Sequence, residues 1–181
     1  ISQGTQIWRR GRRFPAAVSA RLASPFSEIP AYFQPSRVGS LLAPDSAMQE
    51  VDVITGRIIG AAVRIHKKYG PGLLESVYTP CLGQDLVKQG LDVAIGQPLS
   101  LEHGALKIDR AYVLDLLVEN KVIVEVKCVA TIAPIHRAQL LTYLRLTGLQ
   151  VGLIINFNVT KLVDGIKRIA NDYQEEQEDQ V

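Results

Sequence analysis

The stretch Leu116–Lys127, LLVENKVIVEVK, decides how this chain is read. Two runs of apolar β-formers flank Glu119-Asn120-Lys121, the pattern of a hairpin meant for a protein interior. Yet the second run carries Glu125 and Lys127 among its valines, and Asp115 stands immediately before the first. Unpaired charge is costly to bury, so charge kept in the most core-like part of a chain points to a task. A strand sends alternate side chains to opposite faces, which places Glu125 and Lys127 on one face. If the turn takes the three residues 119–121, Val118 faces Val122, Leu116 faces Val124 and Asp115 faces Glu125. The carboxylate-bearing Cβ atoms would then lie about 5 Å apart. A slip of one residue would put the two acids on opposite faces, so the reading depends on that turn.

Two carboxylates that close repel, and each tends to take up a proton unless a cation intervenes. A hard divalent ion, Mg2+ or Mn2+, suits oxygen donors, and the main-chain carbonyl of Val126 offers one more. Lys127 would then orient a water and neutralise charge on a phosphate. Metal-assisted phosphodiester hydrolysis needs such parts: a Lewis acid, a positioned water and a cation beside the scissile group. An E-x-K tripeptide also occurs as a plain ion pair on a solvated sheet face. The flanking valines and the spacing to Asp115 argue for the site.

Outward from the hairpin, the 181 residues at 47% hydrophobic content allow one sizeable core. The apolar runs are too short to span a membrane, and the N-terminus lacks the apolar core of a signal peptide. Cys81 and Cys128 suit a reducing compartment and form no CxxC or CxxH pair, so a cytoplasmic setting is expected. The net charge of +2 is uneven. Residues 1–47 hold six Arg and two acids, +6 − 2 = +4; residues 48–181 hold 14 bases and 16 acids, −2. The folded part is not a broadly basic nucleic-acid binder, so such binding needs a local groove or a partner.

Residues 1–47 contain five of the nine prolines and no sustained apolar periodicity, and are expected to have no fixed structure. A transit peptide, a disordered tail, and upstream sequence preceding a natural start at Met48 are the competing readings, and the last is favoured. From Met48 the order reads helix (52–70, stopped by Tyr69-Gly70-Pro71-Gly72), then a second helix broken or kinked near Pro80 and ended by Gly90. Antiparallel strands follow with a turn at His103-Gly104, then a helix opened by Pro134 and ended by Gly148, an apolar strand VGLIINF, and a helix over VTKLVDGIKRIAN. The strand–helix–strand at 122–157 predicts a crossover joining parallel strands. The fold class is α/β with a mixed sheet and an antiparallel meander flanked by helices, a domain over 48–173 and an acidic tail over 174–181.

Asp115, nine intervening residues and Glu125-Val126-Lys127 resemble the D…(D/E)xK signature of the PD-(D/E)XK nuclease superfamily, with its restriction-endonuclease-like core. More narrowly, GPGLLESVY is similar to the naming motif of the GxxExxY protein family, with Gly72, Glu75 and Tyr78 in place. YVLDLLVENKVIVEVK, AQLLTYLRLTG and VGLIINFNV are similar as well, over about Val51 to Ala170. No proline precedes Asp115, a departure at a variable position. The resemblance implies catalytic Asp115, Glu125 and Lys127 with Glu75 in support. Its metal would be Mg2+ or Mn2+ on Asp115, Glu125, the Val126 carbonyl and Glu75. Glu75 also suits the dipole at its helix start. Gln139 and Tyr143, at i and i+4 on one helix, resemble a pair that positions site and DNA in relatives. Tyr78 and His66 stand as further supporting residues; Tyr78 is as readily core, and His66 reads first as a satisfied core or surface histidine. The implied function is a metal-dependent nuclease acting on nucleic acid, DNA before RNA, with a protein partner or homo-oligomer as further company. The alternative is a non-catalytic nucleic-acid- or protein-binding module on the same fold.

Overall fold

The structure, a computed structural model, describes residues 44–171. Expectations for residues 1–43 and for the acidic tail lie outside the described residues. Helix α1 (Pro44–Tyr69) begins within the segment expected to lack structure, with proline in its favoured first-turn position. It buries Ile54, Ile58, Ala61, Ala62 and Ile65 along one stripe. Helix α2 (Glu75–Lys88) runs through Pro80 without the expected break. The missing proline N–H deprives only the Ser76 carbonyl, and Ser76 is exposed, so water can satisfy it.

Five strands form one sheet in the order β1-β2-β3-β4-β5: β1 (Val93–His103), β2 (Leu106–Val118), β3 (Val122–Lys127), β4 (Val151–Asn156) and β5 (Ile166–Ala170). β1, β2 and β3 make the antiparallel meander, and β3 pairs in parallel with β4 across helix α3 (Pro134–Thr147), as the crossover required. The deciding register is Val118↔Val122 and Leu116↔Val124. Its turn is closed by Lys121 N–H donating to the Val118 carbonyl at 3.0 Å, with Glu119 and Asn120 left-handed at φ 54° and 52°. The three-residue turn therefore forms.

The expected last helix is instead a short 3-10 turn (Leu162–Gly165) followed by β5. Leu162, Val163, Ile166 and Ile169 recur at helical spacing, but two requirements override that pattern. Every residue of β4 is buried, so its outer backbone groups need partners, which β5 supplies by pairing Ile155↔Ile166 through Val151↔Ala170. At Gly165 an added Cβ would sit 2.3 Å from the Asn156 carbonyl oxygen, a backbone approach only glycine permits. Ile166 and Ile169 then pack on opposite sides of the sheet, as strand alternation dictates.

Two apolar layers result. Leu116, Val118, Val122, Val124 and Val126 face α1 and α2, with Tyr78 and Phe157. Leu117, Ile123 and Ile154 face α3, with Leu140, Tyr143 and Leu144. Glu125 and Lys127 alternate with the valines and so project on the α3 side. Gly152 lets α3 approach closely, since a Cβ there would meet Leu140 at 2.8 Å.

Candidate metal centre at the end of strand β3

Strand β2 turns over where it reaches the site. Leu114 belongs to the α3-side layer and Leu116 to the opposite one, although residues two apart should share a face. Asp115 lies at the turnover. Its cross-strand neighbour on β1, Gly96, has φ +66° and drops out of the pairing between Ile95↔Leu116 and Gln97↔Leu114. A side chain at Gly96 would be strained in that left-handed backbone. On the other side, the β2–β3 ladder stops at Leu116↔Val124. Asp115 therefore does not meet Glu125 as a ladder pair. Its Oδ2 accepts the N–H of Val126 at 2.8 Å, in the place of a backbone acceptor.

Glu75, first residue of α2, repeats this two residues along: its Oε1 accepts the N–H of Cys128 at 2.8 Å. Residues 126 and 128 point their amides to the same edge of β3, and two carboxylates from different elements cap that edge. A strand residue's N–H and C=O leave the same side, so the Val126 carbonyl also faces the edge where Asp115 sits. Asp115 and Glu75 share the wall of a cleft of about 480 Å³ with Ser76, Thr79, Pro80 and Gly96.

Glu125 is 3% exposed. One oxygen, Oε1, accepts from Lys127 Nζ at 2.6 Å; the other, Oε2, is buried with no hydrogen-bond partner among the described residues. Burial, then the nearby charge of Asp115, pushes the Glu125 carboxyl above its ordinary range, against the pull of Lys127. Burial likewise raises Asp115, opposed by the Val126 N–H and by Lys127. Burial is the largest influence on Lys127 and would lower it. The Glu125 hydrogen bond and the charges of Glu125, Glu75 and Asp115 together outweigh it, so the ammonium is held above its usual value.

Among the described residues no three His, Cys, Asp or Glu side chains group into a metal cage of their own. A set of two carboxylates plus a main-chain carbonyl is different in kind, and three features fit a hard cation. The donors are oxygens, one of them is a buried carboxylate oxygen without a partner, and both carboxyls are disfavoured in their charged form as they stand.

Of the supporting candidates, Gln139 and Tyr143 do converge. Gln139 Nε2 donates to the Tyr143 hydroxyl at 2.5 Å, and Tyr143 stacks obliquely on Tyr112 with centroids 5.2 Å apart. Burial, with the charge of Glu125, raises the Tyr143 phenol, while the Gln139 hydrogen bond lowers it, so the pair lies within the field of the site. Tyr78 is fully buried and lies elsewhere. It donates to the Gly70 carbonyl and stacks on Phe157 at 4.0 Å, fastening the α1–α2 connection. His66 Nε2 bonds the Val159 carbonyl at 2.9 Å beside Phe157, with no hydrogen bond or ion pair to the carboxylates among the described residues.

Sequence reasoning passed over Asn156, the β4 partner of Lys127. It is 2% exposed and its amide holds the chain after β3: Oδ1 accepts from Val129 at 3.1 Å and from Asn158 at 3.2 Å, and Nδ2 donates to the Val129 carbonyl at 2.8 Å. The one signal in the sequence is a polar amide closing an otherwise apolar strand.

The profile of the PD-(D/E)XK nuclease superfamily matches residues 52–169. The chain belongs to that superfamily. The match spans α1 to β5, so the mixed sheet and its flanking helices are this superfamily's nuclease fold. No curated protein and no solved structure matches the chain.

Proposed function

We propose that this PD-(D/E)XK member is a Mg2+- or Mn2+-dependent nuclease that hydrolyses phosphodiester bonds of nucleic acid, DNA in preference to RNA, within the GxxExxY branch of the superfamily. Asp115 and Glu125-Val126-Lys127 fall inside the matched region and are read as its signature. The observation that carries the reading is the buried, partnerless Oε2 of Glu125 beside a second carboxylate and a lysine. Natural proteins rarely leave such an oxygen unpaired without a use for it. Asp115, Glu125 and the Val126 carbonyl would hold the cation, with Glu75 in support through its hold on the strand end. The bound cation would polarise the phosphate and lower the pKa of an attacking water. Lys127 is kept protonated by its carboxylate neighbours, so its part is to place the water and stabilise negative charge developing on the phosphate, not to take the proton. Gln139 and Tyr143 supply a linked polar pair for the substrate side of that face.

A non-catalytic binding module is favoured by one fact: Asp115, Glu125 and Glu75 each have a protein donor already. The free Oε2 weighs against it, because a structural carboxylate would have both oxygens satisfied. The test is Mn2+-dependent cleavage of single- and double-stranded DNA and RNA by the full chain beside Lys127→Ala and Asp115→Ala. Each substitution should lower the rate by about a hundredfold or more. Equal rates in the three proteins, or no cleavage of any substrate with either metal, would sink the nuclease reading.

A further inference from the structure

Residues 48–173 hold 14 bases and 12 acids, a net charge of only +2, so attraction for a polyanion must come from a local grouping of cations. The described surface offers such a place outside the candidate metal centre. Between the C-terminal halves of α1 and α2 lies a cleft of about 280 Å³ lined by Arg64 and Lys68 from α1 and by Gln84, Asp85 and Lys88 from α2. Three cations face one carboxylate there, 3 − 1 = +2 formally. Arg64, Lys68 and Lys88 are exposed, and none takes part in an ion pair among the described residues. Lys68 Nζ lies over the Tyr69 ring, 4.8 Å from its centroid. Structural surface lysines usually sit near acids; these cations are gathered in a concave site with the acid outnumbered.

The second observation is how this cleft relates to the first. Ser76 and Pro80 line the cleft that holds Glu75 and Asp115, and Gln84 and Lys88 line the basic one. Residues 76, 80, 84 and 88 form a single i, i+4 ridge along the outer face of α2, and all four are exposed. From Glu75 to Lys88 the helix rises about 20 Å at 1.5 Å per residue. That matches about six nucleotides of one duplex strand at 3.4 Å each.

We propose that the α1–α2 cleft is an accessory phosphate-binding site, in which Arg64, Lys68 and Lys88 grip the backbone of the same nucleic-acid strand whose scissile phosphate lies at Asp115 and Glu125. The inference rests on the nuclease reading for the strand's other end, but its attraction is electrostatic and needs no metal. Asp85 opposes the anion and limits affinity, so its removal should act in the opposite sense to removal of the cations.

The test is binding of a labelled 20-base-pair DNA duplex to the full chain in EDTA, across salt concentrations. The comparison is with Lys68→Ala/Lys88→Ala, Asp85→Asn and Lys107→Ala on the β1–β2 hairpin. The double variant should bind about tenfold more weakly, and its log–log salt slope should be about 1.8 smaller, at 0.9 for each phosphate no longer neutralised. Asp85→Asn should bind more tightly, while Lys107→Ala matches the parent protein. Unchanged affinity and slope in the double variant, weaker binding by Asp85→Asn, or equal competition by a polyglutamate peptide would overturn the proposal. Binding that follows this pattern without cleavage under any metal leaves the cleft standing and removes the nuclease reading. Cleavage and binding that are both indifferent to the α1–α2 substitutions do the reverse.

Discussion

Substituting Lys127 by methionine keeps the aliphatic stem and removes the cation paired with Glu125. In the folded protein the Lys127 and Glu125 side chains are 14% and 5% exposed, so the pair is desolvated and solvent does little to replace a lost partner. Removing one member of a buried pair costs about 3–5 kcal/mol when the other stays charged. Glu125 has an escape, because it can protonate, and its carboxyl is already raised by burial and by Asp115. The sign follows from proton linkage. An acid whose folded pKa is raised contributes full stability below its unfolded value and loses it as pH climbs toward the folded one. Without Lys127 both Glu125 and Asp115 rise further, so the loss continues to higher pH. The variant and parent should therefore differ least near pH 4, close to the ordinary carboxyl pKa, where the raised carboxyls of the fold take up protons most readily. At pH 8 the variant should be less stable by about 3 kcal/mol, which is about 10 °C in Tm for a chain of this size. Circular dichroism melts at several pH values read this directly. Added Mn2+ should recover part of the deficit at pH 8 and none at pH 4. A Tm difference that is constant with pH would refute the view that these carboxylates are held charged by Lys127.

Three further outcomes follow from the packing. Gly165→Ala forces a Cβ to within 2.3 Å of the Asn156 carbonyl, so the chain must shift at the β4–β5 connection; a loss of about 2 kcal/mol or more is expected in urea unfolding. Tyr78→Phe removes the bond to the Gly70 carbonyl and keeps the stack on Phe157, and should cost about 1 kcal/mol while leaving cleavage unchanged. Asn156→Ala unties Val129, with about 2–3 kcal/mol of stability lost, and cleavage should fall as the chain beyond Lys127 loosens.

The hairpin that carries the proposed metal site was legible because its register is fixed by short-range chemistry: the turn residues and the valine alternation agree, and the pairing Val118↔Val122 follows from them. Helices α1 and α3 were legible for the same reason, their apolar periods and terminal glycine or proline signals being local. What escaped depended on distant partners. β5 has a helical apolar period and becomes a strand because buried β4 needs its backbone bonds met. Asn156 looks like an ordinary strand end until the loop it holds is in place. The turnover at Asp115 could not be read from alternation, since it arises where Gly96, on another strand, adopts a left-handed backbone.

That turnover alters what the site is. Simple alternation would set Asp115 and Glu125 directly opposite, two carboxylates facing across a ladder. Instead the ladder ends at Leu116↔Val124, and the carboxylates of Asp115 and Glu75 take over as acceptors for Val126 and Cys128. Strand termination and the proposed placement of metal ligands thus fall to the same side chains. Each capping carboxylate commits one oxygen to a backbone amide and is oriented by it, which leaves its second oxygen directed by the strand rather than by a flexible side chain. Glu125 differs: it is oriented by Lys127 alone, and its other oxygen is the one left without a donor. The most exposed of these interdependences is Asp115→Asn. Its amide oxygen can still accept from Val126, so the strand end and fold should persist, with Tm changed by only a few degrees. The carboxylate charge is gone, so Mn2+ should no longer raise Tm, and cleavage should be lost. An Asn variant that kept the full Mn2+ shift would show that Asp115 caps the strand and does nothing more.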